Sequence, residues 1–329
     1  MIEVRNLTKT FGDVHAVDDI SFDVARGEIF AFLGPNGAGK TTTIKMLTTL
    51  LRPTKGTLTL DGLDPGTHQN QVRQRFGIVF QDPSLDSELT AWENLQLHAV
   101  LYHVPRAARA PRAETLLKLF ELWDRRHDPV KQFSGGMKRR LEIARGFLHT
   151  PKILFLDEPT LGLDPQSRNQ LWTHVKHLNQ TEGVTVFLTT HYMDEADRLC
   201  DRIAIVDKGR LVALDTPRAL KDAVPGATAI EARVNEPPAQ WEEELLALDG
   251  VASAHALGGD TWRLVAVDAG RAATALVTHA QSRGVSLQSL SVTSTTLDDV
   301  FAHYAGHSMG AGAAAAAPPS HPLAGRGGR

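Results

Sequence analysis

Gly34-Pro35-Asn36-Gly37-Ala38-Gly39-Lys40-Thr41 follows the apolar run Ile29–Leu33 and precedes the helix-like stretch Thr42–Leu51. Strand, glycine-rich loop and helix is the order that a P-loop needs. Glycines let the backbone curl until its N–H groups face phosphate oxygens, and the following helix points its positive end at the same place. In such a loop Lys40 reaches the β- and γ-phosphates, and the Thr41 hydroxyl is placed to hold Mg²⁺. A glycine-rich turn that carries a lysine by chance is the competing reading, and the flanking strand and helix argue against it. The chain is therefore expected to bind a nucleoside triphosphate.

The chain has 329 residues, 42% of them apolar, which is enough for about two globular units. Lys+Arg 35 against Asp+Glu 38 gives a formal net charge of -3, so no global positive field recruits nucleic acid. Cys200 is the single cysteine and cannot form an internal disulfide, which fits a reducing cytosol. The opening stretch MIEVRNLTKTF carries charges where a signal peptide needs an apolar run. No segment approaches the ~18–20 uninterrupted apolar residues that would span a bilayer. A membrane role would require another chain to supply the membrane part.

Residues 1 to about 220 read as alternating strands and helices. Short apolar runs bounded by turn or polar residues predict buried strands at Ile29–Leu33, Gly77–Phe80, Ile153–Leu156, Thr185–Thr189 and Ile203–Val206. The pattern predicts an α/β fold with a mainly parallel core sheet covered by helices. Ile2–Leu7, Val14–Val17 and Ser21–Val24 read as strands of an antiparallel edge. Helical periodicity between about residues 85 and 149, as in Ala113–Leu122 and Lys138–Leu148, predicts a helical subdomain inserted between core strands. After Pro217 the character changes. Strands at Thr228–Val234, Val251–Leu257, Thr261–Val267 and Val285–Val292, with helices at Trp241–Leu248 and Gly270–Arg283, give the order β-α-β-β-α-β. That order matches a ferredoxin-like motif, so a small α+β domain is expected over 225–305. An amphipathic segment, Thr296–Tyr304, would close it. The Gly-, Ala- and Pro-rich tail, 306–329, has little to bury and is expected to be disordered.

Further residues narrow the chemistry. Asp157 and Glu158 end the apolar strand Ile153–Leu156. The first carboxylate is positioned to bind Mg²⁺ and the second to accept a proton from an attacking water. An acidic loop after a core strand would be the bland reading of an isolated pair. Ser134-Gly135-Gly136 stands at the start of another helix and forms a second anion-binding nest, far from the P-loop in sequence. Alone it reads as a helix cap. One nucleotide cannot easily use both nests of one chain, whereas two chains meeting head to tail could share them.

These residues resemble the ATP-binding cassette (ABC) ATPase family over essentially all of residues 1–220. Gly34–Thr42 resembles the family's P-loop, so Thr42 joins the nucleotide-binding residues. Phe11 resembles its adenine-stacking aromatic residue, and Gln81, ending G-I-V-F-Q, its Mg²⁺- or water-contacting glutamine. F-S-G-G-M at 133–137 resembles the signature sequence and I-L-F-L-D-E-P at 153–159 the acidic strand motif. Asp164 in G-L-D-P resembles the dimer-contacting loop, and His191 the switch histidine at the γ-phosphate. Phe133 and Met137 stand where the signature usually has Leu and Gln. Phe keeps the apolar anchor, while Met loses an amide side chain but leaves the nest intact. Phe11 replaces the more frequent Tyr and can still stack.

The resemblance implies a RecA-like core with an antiparallel β subdomain and a helical subdomain. It implies ATP and Mg²⁺ as cofactors, with Glu158, His191 and Lys40 as catalytic residues. It also implies a head-to-tail dimer and a separate transmembrane permease, which would hold the chain peripherally at the cytoplasmic face of the cell membrane. L-T-A-W-E-N-L at 89–95 and T-S-T-T-L-D-D-V-F at 293–301 resemble the daunorubicin-resistance branch of drug exporters. Two alternatives stay open: a soluble regulatory or protective ATPase, for which a gene neighbourhood without a membrane protein would speak, and a nucleic-acid-acting ATPase, which would need a basic face.

Overall fold

The computed structural model describes residues 1–305 apart from 83, 225–227, 236, 239, 259 and 267, so the tail expected to be disordered lies outside the described residues. In chain order the first elements are β1 (Ile2–Phe11), β2 (Val14–Val24), β3 (Ile29–Leu33), α1 (Lys40–Leu47), β4 (Lys55–Leu60), α2 (Gln69–Arg73) and β5 (Phe76–Val79). Then come α3 (Ala91–Leu101), α4 (Arg106–Leu119), α5 (Gly135–Gly146), β6 (Ile153–Asp157), α6 (Pro165–Glu182), β7 (Thr185–Thr190), α7 (Met193–Leu199), β8 (Arg202–Asp207), β9 (Arg210–Asp215) and α8 (Pro217–Asp222). The last described elements are β10 (Thr228–Val234), α9 (Trp241–Leu246), β11 (Val251–Gly258), β12 (Thr261–Ala266), α10 (Ala269–Ser282), β13 (Leu287–Ser294) and α11 (Leu297–Ala305).

A six-stranded sheet in the order β5-β6-β7-β3-β8-β9 forms the centre. Its strands pair in parallel except β9, which runs antiparallel to β8. The central strands β3, β6 and β7 are buried throughout and mostly apolar because both faces are covered. Successive residues feed two different cores. Ile29, Ala31, Leu33, Leu154, Leu156, Val186 and Leu188 face the core built with α3 to α6. Phe30, Phe32, Ile153, Phe155 and Phe187 face the core shared with α1 and a three-stranded antiparallel sheet, β2-β1-β4. Phe22 of β2 stacks on Phe30 at 5.7 Å between centroids, which joins the two sheets directly.

The N-terminal strands therefore form a sheet of their own rather than an edge of the core sheet. Val14–Val17 and Ser21–Val24, expected as two strands, are one strand bent by register shifts against β1. Asp19, with φ of 55°, sits within this bend, in the left-handed conformation that an Asp tolerates better than most residues. The helical elements α3, α4 and α5 lie between β5 and β6 in sequence and pack on one another.

Beyond α8 the antiparallel sheet β11-β12-β10-β13 has the ferredoxin-like strand order. Ile230, Ala232, Val234 and Leu264 pack on Trp241 and Leu245 of α9 and on Ala272, Leu276 and Ala280 of α10. Helix α11 does not close this unit. Leu297, Val300 and Phe301, spaced to share one helix face, belong to the main cassette core, where α11 packs on α7, α8 and β9.

Candidate functional site

Loop Gly34–Gly39 leaves the C-terminal end of β3 and enters α1, as a glycine-rich loop must if helix N–H groups are to face an anion. Gly39 is the N-cap of α1 with φ of 97°, a conformation that favours glycine, and a Cβ there would lie 2.4 Å from Ala16 O. At Gly34 a Cβ would meet Val206 O at 2.3 Å. The loop is thus clamped between the β2 and β8 backbones, and Ala38 is buried beneath it.

Strands β3, β6 and β7 are neighbours and parallel, so their C-terminal ends deliver the next groups to one place. Lys40 is buried; its Nζ donates to Gly34 O at 2.7 Å and Pro35 O at 3.1 Å, and lies 3.3 Å from Glu158 Oε1. Burial pushes its ammonium pKa down, against the pull of Glu158 and Asp157. The Thr41 hydroxyl donates to Asp157 Oδ1 at 3.4 Å. On the other side of Glu158, His191 Nδ1 lies 3.2 Å from Oε2. Lys40, Thr41, Asp157, Glu158 and His191 therefore form one connected group.

Gln81 is exposed and stands two residues beyond Val79, the end of β5, whose partner Leu156 is two residues before Glu158. Phe11 lies at the β1–β2 turn, 48% exposed, with Lys9 Nζ 5.1 Å from its ring centroid. An exposed ring close to a cation is available for stacking on a flat ligand.

Ser134, Gly135 and Gly136 are at the exposed N-terminus of α5, where the Ser134 hydroxyl accepts from Met137 N–H at 3.3 Å. A Cβ on Gly136 would come within 2.7 Å of Ser167 Oγ, so the first turns of α5 and α6 touch. Asp164 caps α6, accepting from Ser167 N–H at 2.9 Å and Ser167 Oγ at 2.6 Å, and these bonds hold its carboxyl below the usual range. The second nest and the Asp164 turn are consequently neighbours.

Two residues that the sequence reading passed over complete the centre. The buried Thr189 hydroxyl donates to Asp157 Oδ1 and accepts from Glu158 N–H at 3.1 Å. It thereby joins both acidic positions to β7. Arg139 of α5 is also buried. It donates to Pro159 O at 2.7 Å, Asp157 O at 3.0 Å, Glu158 O at 3.1 Å and Phe80 O, and pairs with Glu142 at 2.9 Å. A K-R-R run reads as a solvated helix face; only the carbonyls that converge on Arg139 reveal otherwise.

A glycine-rich loop between strand and helix, paired strand-end carboxylates and a histidine just beyond the next strand are the parts of a P-loop ATPase. The family model described as ABC transporter matches residues 17–161. The daunorubicin/doxorubicin resistance ATP-binding protein DrrA of Streptomyces peucetius is 40% identical, over 93% of this chain and 92% of its own length. The Nod factor export ATP-binding protein I of Ralstonia nicotianae is 41% identical, over 73% of this chain and 74% of its own. Among solved structures, the dimeric ATP-binding cassette MJ0796 bound to ADP and Pi matches with a TM-score of 0.60 and 28% identity, over 66% of this chain and 98% of that one. The chain belongs to the ABC transporter family, as an ATP-binding, ATP-hydrolysing subunit. Within that family it is similar to the ATP-binding proteins of antibiotic resistance and export systems.

Proposed function

We propose that this chain energises export of a drug or other hydrophobic compound through a separate membrane permease, to which it binds at the cytoplasmic face of the cell membrane. No helix among the described residues is long and apolar enough to cross a membrane, so in this reading the compound's path lies in the permease. The observation that carries the reading is Glu158, held between Lys40 Nζ and His191 Nδ1 at the end of β6.

In this reading the loop amides of Gly34 to Thr42 and the Lys40 ammonium take the phosphates, and Phe11 stacks on the base. Glu158 orients and deprotonates the attacking water, while His191 and Lys40 stabilise charge that develops on the γ-phosphoryl oxygens. Lys40 exchanges the carbonyls of Gly34 and Pro35 for phosphate oxygens. The hydroxyl and carboxylate oxygens of Thr41 and Asp157 suit Mg²⁺, with Gln81 joining from the segment after β5. When bound, that ion neutralises negative charge on the phosphates. Two copies close head to tail around two ATP molecules, the Ser134-Gly135-Gly136 nest of each completing the other's site, with Asp164 beside it at the seam.

The test is ATP-dependent drug uptake into inverted membrane vesicles that contain this chain and its genomic membrane neighbour, compared with Glu158→Gln. Uptake by the wild type and its loss in the variant are expected. ATP hydrolysis without movement of any compound in the panel, and without co-purification of the membrane neighbour, would reject export in favour of a soluble regulatory ATPase.

A further inference from the structure

Glu158 has a backbone φ of 45°, which glutamate rarely adopts, so its surroundings must hold it there. Its N–H is held by Thr189, and its carbonyl, with those of Asp157 and Pro159, is held by one guanidinium, that of Arg139. Arg139 also donates to Phe80 O, the peptide oxygen immediately before Gln81. Its Glu142 partner, itself buried, pairs through one carboxylate oxygen and accepts from Ser84 N–H at 2.8 Å through the other. Arg139 and Glu142 both ride on α5, which begins with the Ser134-Gly135-Gly136 nest.

We propose that Arg139, braced by Glu142, is a positioning residue for hydrolysis, which holds the turn that carries Glu158 and ties it to the segment around Gln81 and to α5. The argument is geometric. A guanidinium is flat, permanently charged and five-fold donating, and here those donors are spent on backbone oxygens of two strand ends. A shift of α5 relative to the core must break those bonds or carry the Glu158 turn with it. The nest at the head of α5 serves the partner's nucleotide in the proposed dimer, so the same helix that senses one nucleotide sets the base that acts on the other. This link rests on the functional reading above.

A double-mutant cycle of Arg139→Met with Glu158→Gln tests it, with ATP turnover, KM and nucleotide affinity measured in the full chain. A displacement near 1 Å costs on the order of 100-fold in rate. Arg139→Met is therefore expected to lower kcat by that order while affinity for ATP stays unchanged, with partial recovery in Arg139→Lys. Added to Glu158→Gln, it should cost nothing further, because it acts only through the missing base. Additive losses, or a fall in affinity that accounts for the lost turnover, would overturn the proposal. Should Arg139→Met fail to fold, Glu142→Gln enters the same cycle. It leaves Arg139 its carbonyls and should give a smaller, equally non-additive loss. A wild type that neither binds nor hydrolyses ATP would sink the functional reading itself. Normal turnover with an additive cycle would sink only the role of Arg139.

Discussion

At the scale of single residues, the centre depends on groups that hold other groups. Thr189 is the clearest case, since one hydroxyl serves Asp157 and the Glu158 N–H together. Thr189→Val would keep the shape and leave both without that partner. We expect a loss of about 0.5–1.5 kcal/mol in denaturant unfolding, the net worth of a lost hydrogen bond, because the Glu158 N–H keeps the Thr189 carbonyl and Asp157 keeps the Thr41 hydroxyl, along with reduced turnover. Thr189→Ser should keep most of both. Glu158→Gln is expected to retain ATP binding and lose nearly all phosphate release, which a radiolabelled nucleotide assay separates. The loop proposed to take the phosphates was legible in the sequence because tight backbone curvature leaves few choices: Gly39 accepts φ of 97°, and Lys40 opens the helix directly after it. Thr189 and Arg139 were not legible. A threonine in an apolar strand reads as β-propensity, and an arginine in a basic run reads as solvent. Their meaning arises only when β6, β7 and α5 converge.

At the scale of elements, the five parallel strands stood out because burial on both faces favours short, mostly apolar runs. Strand β4, K-G-T-L-T-L, was missed because half its residues face solvent and its Lys and Gly read as a turn. Helix α4 starts at Arg106, well before the predicted Ala113, because its internal Pro111 reads as a break. The seam where α3, α5 and β5 meet carries a pH response. His98, Tyr102 and His149 stack with centroids 4.4 Å and 4.2 Å apart, and His149 Nε2 lies 3.0 Å from Phe76 O. Burial pushes His98 to about 3, with Arg145 adding to the shift, and His149 to about 4. The unfolded chain takes up these protons near pH 6.5 and the folded chain resists, so their contribution to stability is whole above about 6.5. It is lost progressively as pH falls toward 4 and then 3. Thermal melts should show Tm falling across that window. Replacing both histidines with Gln should flatten the decline, whatever it does to Tm at neutral pH.

At the scale of the whole molecule, α11 is the element that relates the four-stranded unit to the cassette. Its Phe301 is completely buried in the cassette core. Phe301→Ala should cost about 3–5 kcal/mol in denaturant unfolding, the usual loss for a large aromatic left as a cavity. The sequence showed the amphipathic period of this helix but not which apolar surface it would cover, because the hydrophobic effect has no direction. Since α11 packs beside α8, the chain leaves the cassette and comes back to it at nearly the same spot. In the language of gene architecture, the four-stranded unit is an insertion rather than an appendage. Replacing residues 225–294 with a short Gly-Ser linker from α8 to α11 should leave a folded, nucleotide-binding cassette. Ending the chain after Asp222 should instead uncover the apolar bed of α11 and cause aggregation, which light scattering would detect. A helix of the cassette is thus encoded on the far side of a visitor, and a truncation drawn at the first boundary would discard part of the host.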